Sequence, residues 1–126
     1  MTTEEMQNIG EAHGLRVIEM DEDELAHINM DRSSFVDRSW IAGSEMRIGF
    51  YTDQEKRTVS FFHEVGHCLA RHPEYHVDTE GRCFKVAPEL VAWMIGLREA
   101  AKHGVHFSAE TIDWALSQAI SYRNYG

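Results

Sequence analysis

Hydrophobic and polar residues alternate most regularly near the middle of the chain. Large hydrophobic residues stand at every second position of Met46–Tyr51, which is typical of a strand with one buried face. Four loop residues separate this stretch from Ser39–Ile41, and the two stretches together predict a hairpin. Leu15–Met20 predicts a further strand in which Leu15 and Val17 are buried. The sheet that we expect from these stretches is short and antiparallel.

Helical segments surround these strands, and their ends carry recognisable signals. The predicted helices cover residues 3–13, 53–71, 88–103 and 109–123. The expected N-caps of the first, second and fourth helices are Thr3, Thr52 in a capping box with Glu55, and Ser108. The third helix is expected to have Pro88 in its first turn. The residues that stop the first three helices are Gly14, Pro73 and Gly104.

The segments between these elements are polar. Residues 21–24 predict a solvated turn or the start of a short helix, and residues 73–86 predict a polar connection. The order of one helix, a few strands and then three helices favours an α+β fold over a parallel α/β sheet. No shift in composition marks a boundary, so the sequence predicts a single domain over residues 1–126.

Composition places the chain among ordinary globular proteins. Its 126 residues are 43% hydrophobic, enough to fill one core. No apolar run approaches the ~20 residues that cross a membrane. The acidic N-terminus lacks the basic and apolar regions of a signal peptide, so the cytoplasm is the expected compartment. Two cysteines, Cys68 and Cys83, are too few for a disulfide scaffold.

The net charge of −9 is concentrated in the N-terminal part of the chain. Residues 1–31 hold nine acidic residues and one basic residue, whereas the remainder is nearly neutral. We interpret the acidic part as a surface that favours solubility. Because no cluster of Lys and Arg could neutralise phosphates, the sequence argues against direct binding to nucleic acid.

The second predicted helix contains the motif His-Glu-Val-Gly-His, which matches H-E-x-x-H. His63 and His67 lie one turn apart and only about 40° apart around the helix, so both imidazoles can bind one ion. Glu64 lies ~100° from His63 and can reach a metal-bound water without binding the metal. Two imidazoles and one carboxylate would leave a fourth zinc position for water. The motif therefore predicts a Zn²⁺ site with Glu64 as the acid/base group.

The third ligand has several candidates. A metzincin needs Gly and His three and six residues after His67, and Ala70 and Pro73 stand there, which excludes that class. Three rivals lie on the connecting segment: His72, His76 and Cys83. Two further acids lie farther along the chain and are expected nearer solvent: Glu99 and Glu110.

Glu89 is the favoured third ligand. It lies in the first turn of the third predicted helix, on the same face as Trp93, Gly96 and Ala100. The small residues of that face, with Gly66 in the motif, would let the two helices approach closely. The alternative is that Glu89 only interacts favourably with the dipole of its own helix.

Over roughly residues 46–104, the chain resembles the ImmA/IrrE-type zinc metallopeptidases. The similar stretches are Thr58–His72, which includes the motif, and Glu89–Trp93. The resemblance implies a small zincin-like domain with these roles: zinc ligands His63, His67 and Glu89, and catalytic Glu64. Val91 and Trp93 stand where the family usually has Glu and Asn or Asp. This Glu-x-x-Ala-Trp pattern is similar to that of small relatives encoded by phages and mobile elements.

The resemblance also implies a function. Members of the family cleave repressor-type transcription factors, so the expected partner is a protein or peptide substrate. The expected reaction is hydrolysis of a peptide bond by a zinc-activated water. The alternative is a catalytically inactive zinc-binding module, phage-encoded, that acts by binding another protein. A closed site, with a fourth ligand such as Cys83, would favour the alternative.

Several other residues have less specific interpretations. Five could stabilise an oxyanion, although each is more simply structural or solvent-facing: Tyr75, His76, His103, Tyr122 and Arg123. Three histidines are expected at the surface: His13, His27 and His106. Cys68 is expected to be a buried free thiol. The tryptophans expected in the core are Trp40, Trp93 and Trp114.

Overall fold

The computed structural model describes residues 1–70, 76–77, 83–84 and 86–121, with side chains for residues 1–70 and 89–120. The helices are α1 Thr3–Ala12, α2 Glu22–Ile28, α3 Gln54–Ala70, α4 Val86–Lys102 and α5 Ala109–Ser121, with a 3-10 turn at Arg32–Phe35. The strands are β1 Arg16–Glu19, β2 Trp40–Ala42, β3 Glu45–Ile48, β4 His76–Val77 and β5 Cys83–Phe84. The fold is α+β, as predicted. No helix in the described ranges is long and apolar enough to cross a bilayer.

The main sheet has three strands in the order β1-β3-β2 and is mixed, so the prediction of an antiparallel sheet is wrong in part. The β2–β3 pair is the predicted antiparallel hairpin, with Trp40 opposite Arg47. The β1–β3 pair is parallel, with Arg16 opposite Glu45. The reason is the connection between β1 and β3, which contains α2, a 3-10 turn and the edge strand β2 and is long enough for a crossover.

The first helix begins one residue earlier than its predicted cap. Thr2 is the N-cap, because its side chain accepts a hydrogen bond from the Glu5 backbone N–H and the Glu5 carboxylate accepts one from Thr2 N–H. Thr3 instead donates its hydroxyl to Glu19 at 2.8 Å and accepts from Arg57 at 2.6 Å. The spacing of Thr2 and Glu5 is that of a capping box, whereas Thr3 is followed at the same spacing by Met6.

The cap of α3 also differs from the prediction. Asp53 accepts hydrogen bonds from the backbone N–H groups of Glu55 and Lys56, at 2.9 and 3.2 Å. The predicted capping box of Thr52 and Glu55 is wrong, because the Glu55 carboxylate accepts from the backbone N–H of Ser108 at 2.7 Å. This contact ties the start of α3 to the start of α5. The cap of α5 is the predicted one, since Ser108 Oγ accepts from Thr111 N–H at 3.2 Å.

The segment predicted as a polar connection over residues 73–86 contains a two-stranded antiparallel hairpin of β4 and β5. α4 then begins at Val86, and Pro88 lies in its first turn. Proline is tolerated there because the N–H groups of a first turn have no partner within the helix. The predicted end of α5 at Arg123 lies outside the described residues.

The main core lies between the sheet and α3. Val17 of β1 and Met46 and Ile48 of β3 pack with Phe61 and Val65 of α3. The predicted packing of the sheet on the motif helix is therefore present. Because the sheet covers one side of α3, the other side is the one on which α4 packs.

The tryptophans do not all lie in this interior. Trp93 is buried and Trp114 is half-buried, whereas Trp40 is 46% exposed, so its assignment to the core is wrong. Trp40 begins the edge strand β2, and its indole N–H donates to the Ser34 carbonyl at 3.0 Å. That polar contact holds the ring against the outside of the 3-10 turn.

The backbones of α3 and α4 meet at two glycines. A Cβ atom on Gly66 would overlap the carbonyl oxygen of Ala92, and one on Gly96 would overlap the carbonyl oxygen of Phe62. Both neighbours are backbone atoms of the facing helix and cannot rotate away. The crossing brings the first turn of α4 beside the motif.

We predict that Gly96→Ala destabilises the protein by about 2 kcal/mol or more in chemical denaturation. Helix propensity alone predicts the opposite sign, a gain of about 1 kcal/mol. The overlap with Phe62 decides the outcome because it pushes two backbones apart. Met94→Ala, on the 68% exposed Met94 of the same helix, is the control and should change stability by no more than ~0.5 kcal/mol. An equally stable Gly96→Ala variant would mean that the helices do not cross this closely.

Candidate metal centre

The residues singled out from the motif lie in the second half of α3, on the side away from the sheet. Phe61 and Val65 bury one side of the helix against the strands. His63 and His67 project from the opposite side, because residues two positions away are ~200° around the helix. That side faces α4, and Glu89 in the first turn of α4 is the residue it meets.

The carboxylate of Glu89 bridges the two imidazoles. His63 Nε2 lies 2.8 Å from Glu89 Oε2, and His67 Nε2 lies 3.1 Å from Glu89 Oε1. Glu89 is only 1% exposed, so its charge is almost entirely removed from water. A buried carboxylate needs such partners, because an unpaired buried charge is strongly unfavourable.

These three side chains could hold a metal ion. One ligand atom from each lies within 4.8 Å of the other two. Imidazole nitrogen and carboxylate oxygen are ligands that zinc accepts at about 2.0–2.2 Å, which places neighbouring ligand atoms roughly 3.3–3.6 Å apart in a tetrahedron. The separations of 2.8 and 3.1 Å join the imidazoles to the two different oxygens of Glu89, so all three donors are close enough to share one ion after a small adjustment. The donor set therefore fits zinc, and the three described ligands would take three of its four tetrahedral positions.

His63 interacts with charge on both edges of its ring. Its Nε2 faces Glu89, and its Nδ1 lies 3.4 Å from Glu64 Oε1. Burial by itself lowers the pKa of His63, but hydrogen bonds and charge interactions with Glu64 and Glu89 outweigh it and raise the pKa to about 9. The metal-free site therefore holds a proton on His63 at neutral pH.

Glu89 shows the complementary shift. Burial raises the pKa of a carboxylate, but hydrogen bonds from His63 and His67 outweigh burial and lower the pKa of Glu89 to about 2. The group is an anion at any pH at which the protein would be studied. It is thus already in the form that a cation needs.

The other acids proposed as ligands lie elsewhere. Glu99 is paired with Lys102 at 2.7 Å, and this bond lowers the pKa of Glu99. Glu110 is exposed at the start of α5. The loop candidates cannot be placed in the same way: His72 lies outside the described residues, and the side chains of His76 and Cys83 are not described.

Tyr51 is a residue near Glu64 that the sequence reasoning missed. Its hydroxyl shares a hydrogen bond of 3.0 Å with Ser39 Oγ and also interacts with the side chain of Ser60. Burial raises the pKa of Tyr51, and the charge of Glu64 raises it further, so the phenol stays neutral. The sequence signal was its position three residues before the motif helix, because the hydroxyl contacts join parts of the chain that are distant in sequence.

None of the predicted oxyanion residues is seen beside the triad of His63, His67 and Glu89 in the described part of the chain. His103 is exposed, and its ring lies 6.0 Å from that of Phe62. Three candidates lie outside the described residues, and a fourth has no described side chain: Tyr75, Tyr122, Arg123 and His76.

The remaining histidines and Cys68 mostly follow the prediction. His27 and His106 are exposed, whereas His13 is half-buried. Cys68 is a free, half-buried thiol whose Sγ lies 3.8 Å from the carbonyl oxygen of His13. None of the four belongs to the triad of His63, His67 and Glu89, the one group in the described residues that could hold an ion.

Comparisons of the chain with protein-family models, with curated proteins and with solved structures find no match.

We predict that Glu89→Ala weakens zinc binding at least tenfold, which corresponds to ~1.4 kcal/mol. The variant removes the carboxylate that both imidazoles face. Glu99→Ala is the matched control on the same helix and should bind zinc as the wild type does. Chelator competition measures both affinities. Normal binding by Glu89→Ala, with loss in Cys83→Ser or His76→Ala, would place the ligand on the connecting segment instead.

We also predict that the apparent zinc affinity rises about tenfold per pH unit between about pH 6.5 and pH 8. The metal needs a neutral imidazole, and His63 keeps its proton up to about pH 9 when no metal is bound. Each ion bound in this range therefore displaces one proton. Competition titrations across the range give the slope, and an affinity independent of pH would show that His63 is not protonated in the metal-free protein.

Proposed function

We propose that the protein is a small zincin-like, zinc-dependent metallopeptidase of the ImmA/IrrE type. The observation that carries the proposal is the pair of carboxylates around one imidazole. Glu89 joins His63 and His67 as a candidate ligand, and Glu64 lies beside the same His63 but outside the triad. A carboxylate at Nδ1 orients a metal-binding imidazole, and as the second residue of H-E-x-x-H Glu64 is also the expected acid/base group.

The ligand set favours zinc in a catalytic site. Two imidazoles and one carboxylate form a known catalytic combination that keeps one position open. When bound, the zinc ion supplies an activated water and polarises the scissile carbonyl. The chain's own residues supply the rest of the chemistry.

Glu64 is the proposed proton carrier. Its carboxylate is 7% exposed and follows His63 directly in α3, so the helix fixes its position relative to the triad. It would take a proton from the attacking water and deliver it to the leaving amine. The close α3–α4 crossing would hold this constellation rigid, because its side chains lie on two helices whose backbones touch.

The proposed substrate is a regulatory protein, and the resemblance of Thr58–His72 to the family supports a repressor-type regulator in the cytoplasm. The sequence has no cluster of Lys and Arg of the kind that direct binding to DNA needs. Cleavage of the regulator, and not competition for DNA, is the mode of action that this combination favours.

A second function is a catalytically inactive zinc-binding module that recruits another protein. The observation that favours it is the outer face of α4, where Val91 and Met94 are 43% and 68% exposed. Exposed hydrophobic residues on one helix are typical of surfaces that contact partners. The two functions share the metal site and differ in whether Glu64 is needed.

We predict that Glu64→Gln abolishes proteolysis while zinc content and melting temperature stay close to wild type. The substitution keeps the shape of the side chain but removes its ability to accept a proton. The assay compares new peptide N-termini by mass spectrometry after incubation of host or phage proteins with each form. Glu99→Gln is the control and should cleave normally.

Cleavage by Glu64→Gln at the wild-type rate would contradict the proposed mechanism. If zinc-loaded wild type generates no new N-termini and both forms capture the same protein, the inactive binding module is the better account.

A further inference from the structure

Trp93 lies one turn after Glu89 on α4 and covers the flat face of His63. The two rings are almost parallel, with an interplanar angle of 5° and ring centroids 3.9 Å apart. Trp93 is 4% exposed, so the stack excludes water from that face of the imidazole. The contact is separate from the hydrogen bonds at the edges of the ring.

The stack completes the confinement of His63. Glu89 fixes the direction of Nε2, and Glu64 lies beside Nδ1. Those two contacts lie at the edges of the imidazole, whereas Trp93 covers its face and restricts tilting of the ring. Glu89 and Trp93 lie on the same face of α4 because they are four residues apart. One face of α4 therefore supplies both the Glu89 carboxylate and the Trp93 ring that orients His63.

Trp93 is itself held in place, but not by a hydrogen bond. Its ring meets that of Trp114 edge-on at 6.3 Å and packs with Val59 and Ala115. The indole Nε1 is buried and has no hydrogen-bond partner among the described residues. Burying such a group costs about 1–3 kcal/mol, a cost that phenylalanine would avoid. Core packing alone therefore does not explain a ring with a buried N–H at this position, and the flat face that the ring presents to His63 is the feature that the stack uses.

We propose that Trp93 is a positioning residue that holds the His63 imidazole in its metal-binding orientation. The inference rests on the proposed metal site, but not on proteolysis. An imidazole free to turn would lose rotational freedom on binding an ion, and the stack removes that freedom beforehand. The effect should appear in the metal affinity of the folded protein.

The test compares two substitutions that differ in aromatic character. Trp93→Phe keeps a flat ring against His63, and its zinc affinity should stay within about threefold of wild type. Trp93→Met keeps an adaptable apolar side chain but has no plane, and its affinity should fall by about tenfold. Trp114→Phe is the control, because Trp114 contacts the edge of Trp93, and it should bind as wild type does.

A merely structural role gives a different result. It would lower the melting temperatures of the metal-free and zinc-loaded Trp93→Met protein equally and leave the zinc affinity of the folded variant unchanged. The inference instead predicts that the zinc-induced rise in melting temperature shrinks in Trp93→Met and is retained in Trp93→Phe. Equal zinc affinities of wild type and folded Trp93→Met would overturn the inference.

A second measurement is made on the wild type and needs a folded variant only to assign one resonance. The three indole N–H resonances are followed by NMR during a zinc titration, and Trp93→Phe identifies the resonance of Trp93. This resonance should shift most and Trp40, which is far more exposed, should shift least. An unshifted Trp93 resonance in protein that binds zinc overturns the inference alone. Failure of the wild type to bind zinc overturns the proposed function as well.

Discussion

The close approach of α3 and α4 is the constraint on which the candidate site depends. Gly66 and Gly96 let carbonyl groups of the facing helix lie where a Cβ atom would otherwise be. The sheet covers the other side of α3, so α4 has one place to pack. Only at this short separation can a carboxylate in the first turn of α4 reach two imidazoles one turn apart on α3. The helix crossing thus links the hydrophobic core to the candidate metal site, because a wider crossing would also separate Glu89 from both histidines.

Charge balance is the second constraint. Glu89 is buried and anionic, and in the metal-free protein the proton on His63 partly compensates for it. A divalent cation can replace that proton and offset the carboxylate more completely. The same pair of groups therefore balances its own charge without a metal and would be able to hold a cation. Glu64 lies at the opposite edge of His63, so a second carboxylate shares the same imidazole without joining the triad.

The sequence was most informative where the signal is local. The motif spacing, the small residues of α4 and the position of Glu89 were all readable from helical periodicity, and the structure brings these residues together.

Features that depend on distant contacts were not predictable. The parallel pairing of β1 with β3 depends on a crossover, Trp40 is held outside by a carbonyl of the 3-10 turn, and Tyr51 meets hydroxyls from two other segments. Two of the predicted caps were wrong for a different reason. At α1 the capping-box spacing of Thr2 to Glu5 was overlooked. At α3 the Glu55 carboxylate is taken by the distant Ser108, and Asp53 is the cap.

The identity of the metal ligands is the central claim, and X-ray absorption spectroscopy of the zinc-loaded protein tests it most directly. The account predicts one zinc ion per chain, surrounded only by nitrogen and oxygen at about 2.0–2.2 Å, with the multiple-scattering signature of two imidazoles. One oxygen should come from Glu89 and one position should be filled by solvent. A sulfur neighbour at about 2.3 Å would contradict the account, because it would make Cys83 or Cys68 a ligand and close the open position.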